Sequence, residues 1–260
     1  MDSSRNNETW AGIQGIIKGL EIFAAALEKA YTWYQNNAEN ISMYLLAFAD
    51  FGVWSVATDR LIENQIVFTD DLPQDLAQKI YNGSDIEKVV CSYYFGNNEC
   101  NMERVISRCQ QNEQVQKYVE LYDQIISAYR IDHYLIACIG LFSLIDGVLA
   151  DVSEQTTTNF KRRLDVVKEK MGSEKKLSEI DRKTLCIYKA FKSFDTSIFS
   201  YSKFSEQEPQ IVNRHWDLHG RTHREHSKMD FLKVLLWLDV IIFSSIQDIQ
   251  ESEEVNDGHL

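Results

Sequence analysis

Apolar residues in this chain recur mainly at i, i+3, i+4 and i+7, the spacing that gathers side chains on one face of a helix. Ile13, Ile16, Ile17, Leu20, Phe23, Ala24, Leu27 and Tyr31 predict an amphipathic helix over 10–36. Leu45, Leu46, Phe48, Val53, Trp54 and Leu61 predict a second over 38–65. A turn at Asp70, Asp71, Leu72 and Pro73 ends it and opens a short helix to Tyr81. Ser84, with Glu87 three residues on, is the expected cap of the next helix. Gly96, Asn97 and Asn98 read as a loop before a helix from Met102.

A helix over 113–129 precedes the most hydrophobic stretch, 131–152, which is apolar on nearly all sides and reads as a central helix. Asp146 is its exception. An acid there needs a cationic or hydrogen-bonding partner, so it either sits at a solvent-facing edge or pairs with Arg214. Residues 160–170 form a charged helix, Gly172 and Ser173 break it, and 177–194 resume. Residues 193–208 read as a loop of polar and aromatic residues that covers a site. Pro209 is the expected first residue of a short helix that Gly220 ends in the left-handed position. Phe231, Val234, Leu235, Leu238, Ile241, Ile242 and Ile246 predict the last helix, 229–247, before an acidic, disordered tail at 251–260. With two prolines in the whole chain, the fold class is all-α: a helical bundle over 113–250 with an additional N-terminal helical region over 1–112.

A chain of 260 residues, 44 % hydrophobic and 25 % charged, is in the ordinary range for a soluble globular protein. A formal net charge of −12 and a pI near 5.0 argue against a general affinity for duplex DNA, but leave room for a small cationic pocket. The five cysteines, at 91, 100, 109, 138 and 186, lack the close pairs of a zinc site and read as reduced, free thiols. The start, MDSSRNNETW, has no signal-peptide pattern, so a cytoplasmic location is expected. Residues 134–145 are too short to span a bilayer and 231–246 are interrupted by Lys233 and Asp239, so both read as core helices and no membrane is implied.

Against that acidic background, residues 210–228 are locally cationic. They hold four of the six histidines, His215, His219, His223 and His226, with Arg214, Arg221, Arg224 and Lys228. Arg214 and His219 form an arginine–x4–histidine pair with His215 at its polar position and Asn213 before it. A planar guanidinium suits two-point contact with phosphate oxygens. A histidine titrating near neutrality can move a proton at an oxygen beside that phosphate. RNA brings its own nucleophile, the 2′-hydroxyl, so such a pair can cleave it without a metal or other cofactor. Residues five apart lie about 140° apart around a straight helix, so Arg214 and His219 converge only through the length of arginine and the helix end at Gly220. The same spacing recurs at Arg221 and His226. Trp216 and Leu218 are expected in the core or at a dimer contact, and Asp217 as a solvent-facing acid.

The run NRHWDLHGRT, followed by DFLKVLLWLDVI and preceded by HYLIACIGLFSLIDG, resembles the HEPN family (higher eukaryote and prokaryote nucleotide-binding domains). The resemblance covers about 113–250, is strongest at 213–222, and is absent from the N-terminal third. It implies a helical bundle that dimerises with its motif helices facing one another around a shared RNase site. Arg214 and His219 match the two catalytic positions, His215 the polar one, and Asp146 the acid that supports the arginine. Relatives include RNA-cleaving toxins and antiphage defence effectors, some held by an antitoxin or regulatory protein. Others are catalytically silent modules that bind RNA, nucleotide or protein. The expected function is therefore a metal-independent endoribonuclease, with Arg221, Arg224 and Lys228 as phosphate contacts. Two alternatives stay open: the silent module, and a metal held by His215, His219 and His223 at i, i+4, i+8.

Overall fold

The computed structural model describes residue 29 and residues 41–67, 73–155, 157, 159–172 and 182–256, with backbone only at 41–50, 168–172, 182–185 and 244–256. The chain divides into two compact units, Met1–Gly52 and Val53–Leu260. The helix expected at 10–36 and the acids of the 70–73 turn lie outside the described residues. What is described is helical with no strand, an all-α architecture. In chain order it comprises α1 (Ile41–Glu63), α2 (Gln74–Tyr81), α3 (Ile86–Phe95), α4 (Cys100–Gln111), α5 (Glu113–Gln116) and α6 (Val119–Arg130). There follow α7 (Tyr134–Ser153), α8 (Phe160–Gly172), α9 (Arg182–Lys192), α10 (Arg214–Leu218) and α11 (Lys228–Asn256).

The second unit is built around α7, which packs against α6, α8, α10 and α11. Ala137, Cys138, Leu141, Phe142, Leu144, Ile145, Val148 and Leu149 are all buried, which is why this helix reads as apolar on nearly every side. Gly140 sets the approach of α6: a Cβ there would stand 2.5 Å from Cγ1 of Ile125. At 20 residues, α7 is long and apolar enough to cross a membrane by length and composition, more than the 134–145 run alone suggests. Here its neighbours are the protein's own helices.

Residues 53–112 share this core. Asp239 of α11 is buried, and α4 supplies its counter-charge: Arg108 donates through Nε at 2.7 Å and through a terminal nitrogen at 2.6 Å. The Tyr122 hydroxyl donates to the Ile106 carbonyl at 2.8 Å. Packing is therefore continuous across 112, within the second compact unit.

Other differences are local. The cap of α3 is Asp85, whose side chain accepts from the Lys88 amide, because the helix begins one residue later than Ser84 would start it. The helix expected over 113–129 is broken at Tyr118, whose ψ of 27° lies outside the helical range. The backbone of α11 continues to Asn256, past the expected start of the tail, through a run with no proline or glycine.

Candidate active site

The motif helix α10 is five residues long and is defined at both ends by its own sequence. Pro209 does not start it. Asn213 does: its side-chain oxygen accepts from the amides of His215 at 3.1 Å and Trp216 at 3.2 Å. Residues 209–213 cannot be helical because the Arg214 amide is already spent on the Ile198 carbonyl at 2.8 Å. The Asn213 amide group donates to the Ser200 carbonyl at 3.0 Å, so one buried residue both caps the motif and moors it to the 193–208 loop. At the other end His219 leaves helical geometry and Gly220 takes φ +62°. The Gly220 amide donates to Asp217 at 3.1 Å and the Arg221 amide to Trp216 at 2.9 Å, the paired bonds of a glycine-terminated helix. The expected stop at Gly220 is present.

Arg214 turns towards α7 and α8. Its guanidinium lies 3.6 Å from Oδ2 of Asp146 and 4.0 Å from the ring centroid of Phe160. Of the two readings of Asp146, the pairing with Arg214 is the one formed. Asp146 is shared: Arg163 of α8 donates to its side chain at 3.2 Å and to its carbonyl at 3.1 Å. Burial lowers the Arg214 pKa, with Arg163 adding to the effect, while Asp146 opposes it. The side chain remains 21 % accessible.

His215 and His219 face the opposite way, against the 201–204 segment. Their ring centroids are 4.8 Å apart, edge to face. Phe204 stacks on His215 at 4.5 Å with the planes 4° apart, and meets His219 edge-on at 5.6 Å. Burial depresses the His215 pKa below its usual 6.5, and the charges of His219 and Arg214 push the same way. Arg214 and His219 thus have different neighbours within one chain, as their separation around the helix demands, and His215 is the group that senses both.

The rest of the cationic stretch divides by partner. Arg221 lies over the Phe204 ring at 5.2 Å and is exposed. Arg224 is taken up by Asp230, at 3.0 and 3.1 Å, and Lys228 pairs with Glu99. Those two expected phosphate contacts already have carboxylate partners. Glu208 gathers the turn after Gly220: one of its oxygens accepts from the Thr222 hydroxyl at 2.7 Å and the amides of His223 at 2.8 Å and Arg224 at 3.3 Å. Burial works against its charged form, yet these bonds hold its carboxyl down to about 2.

Asp217 is not a solvent-facing acid. It is buried, and its Oδ2 lies 3.0 Å from Nε2 of His226. Through this bond His226 fastens the end of the turn to α10. Trp216 is buried and Leu218 packs on the core. The i, i+4, i+8 histidine register is lost at Gly220: His223 pairs with Glu208 at 3.4 Å and His226 with Asp217. Among the described residues, no group of three or more His, Cys, Asp or Glu is placed to hold a metal.

Sequence reasoning missed four contributors: Arg163, Phe160, Tyr201 and Phe204. The aromatics at 199–204 were visible as a cluster, but only the mooring of Asn213 to Ser200 shows where they go. No family model, curated protein or solved structure matches this chain.

Proposed function

We propose that this protein is an endoribonuclease of HEPN type. One observation carries the reading: two imidazoles in ring contact on a capped five-residue helix, His215 in its first turn and His219 at its end, with a guanidinium on the helix's first residue. Two adjacent proton-transfer groups suit a reaction that removes one proton and donates another. His215, neutral, accepts the proton of a ribose 2′-hydroxyl. The 2′-oxygen attacks the adjacent phosphorus, His219 protonates the departing 5′-oxygen, and a 2′,3′-cyclic phosphate remains. Arg214 stabilises the charge on the pentacoordinate phosphorus. Because Arg214 and His219 face different neighbours in one chain, a second copy presenting its own α10 would bring an arginine to the histidines of the first, in keeping with the dimer that the family resemblance implies.

Incubation of the purified protein with total RNA tests the reading. Cleavage to cyclic-phosphate ends is expected, with loss of about a hundredfold or more in Arg214→Ala and His219→Ala at unchanged helicity. Equal cleavage by the wild type and both variants would remove the assignment.

A second reading is favoured by the burial of Arg214 between Asp146 and Phe160, which also suits a purely structural role. In that case the chain is a silent module, and RNA binds without turnover at any pH.

A further inference from the structure

The side of the motif that faces away from Asp146 is aromatic. Tyr201 is 74 % exposed, the most accessible large apolar side chain among the described residues, and its ring lies 4.9 Å from that of His215. Phe204 stacks on His215, His219 meets both rings, and the Arg221 guanidinium lies over Phe204. A protein gains little stability from a tyrosine left this open. This one is held beside the titratable pair because Asn213 moors its segment to the motif. An exposed ring next to an exposed cation matches a polymer with flat apolar faces and a charged backbone.

We infer that Tyr201, with His215 and Phe204 behind it, is a stacking platform for a base of single-stranded RNA, and that Arg221 contacts the neighbouring phosphate. Duplex bases are already stacked on one another, so their faces cannot reach Tyr201, and the platform selects unpaired strands. Threading past Tyr201 brings the sugar–phosphate link beside His215 and His219. The identity of the polymer rests on the ribonuclease reading; the stacking contact does not need the chemistry to occur.

The test is therefore a binding measurement. A short fluorescein-labelled oligouridylate with every 2′-hydroxyl methylated, which the proposed reaction cannot cut, is titrated by anisotropy into the wild type, Tyr201→Ala and Tyr201→Trp. Tyr201→Ala is expected to raise Kd about tenfold, the loss of one stacked base, while Tyr201→Trp keeps the wild-type value. A duplex of the same sequence should bind more weakly than the single strand. Equal affinity of the wild type and Tyr201→Ala, an equal loss in Tyr201→Trp, or no binding by the wild type overturns the platform. Cleavage of total RNA with any of those results leaves the ribonuclease reading standing alone. A tyrosine-dependent affinity in a protein that cuts nothing leaves the platform standing alone.

Discussion

Nε2 of His226 lies 3.0 Å from Oδ2 of Asp217, and both side chains are only 1 % exposed. The bond joins the end of the cationic turn to the underside of the motif helix. His226→Ala leaves the Asp217 carboxylate buried without its partner, and a loss of about 3 kcal/mol in unfolding free energy is expected. Urea denaturation followed by circular dichroism measures it; a change within about 0.5 kcal/mol of zero would mean that this pair holds nothing together.

A site shared between two copies makes a distinct forecast. Arg214→Ala and His219→Ala should each be inactive alone, and a mixture unfolded and refolded together should regain activity, because a mixed dimer assembles one intact arginine–histidine set. Sedimentation of the wild type should show the dimer. A mixture as inactive as its components places both groups of a working site in one chain.

Asp146 separates two guanidiniums, those of Arg214 and Arg163, and its removal should disturb the arginine more than the bundle. Asp146→Asn is expected to lower RNA cleavage at least tenfold while costing about 1 kcal/mol of stability, a modest figure because the carboxylate is partly exposed. Cleavage rate and urea midpoint, taken on the same preparation, separate the two effects.

The depressed pKa of His215 gives a signed pH dependence. As pH falls through the ordinary value of 6.5, the unfolded chain takes up a proton that the folded protein still refuses, so stability decreases until the lower folded pKa is reached. Above pH 6.5 this group contributes no slope. His215→Ala should flatten the decline below 6.5, and the acid limb of wild-type cleavage should lie below 6.5. Urea midpoints and initial rates across that range check both statements.

Gly220 stands in open space with φ +62°, so a methyl group there meets nothing and the only cost is backbone conformation. Gly220→Ala should cost about 1 kcal/mol. Asn213→Ala should cost more, about 2 kcal/mol, because it loses the cap and also the bond to the Ser200 carbonyl. Thermal unfolding of each variant gives the comparison.

The sequence made the central helix readable because 131–152 is apolar on all sides, and it placed the helix end at Gly220 because few other residues tolerate that φ. It misplaced the helix start. Pro209 and Asn213 are both good first-turn residues, and the choice is made by a remote group, the Ile198 carbonyl that takes the Arg214 amide. Asp217 looked solvent-facing because its partner, His226, lies beyond a glycine that scrambles the register. Charge alone suggested phosphate contacts at Arg224 and Lys228, whose carboxylate partners Asp230 and Glu99 are fixed by α11 and its neighbours. Pairwise partners across the fold are what a one-dimensional pattern leaves out.

Glu208 binds the far side of the motif, at Thr222, His223 and Arg224, from a position just before Pro209. One carboxylate thus pins both edges of the segment that carries every candidate catalytic side chain. The segment is a closed loop with its two ends held at one point, and the bonds of Asn213, Arg214 and Asp217 inside that loop fix the candidate catalytic groups against the helices beneath.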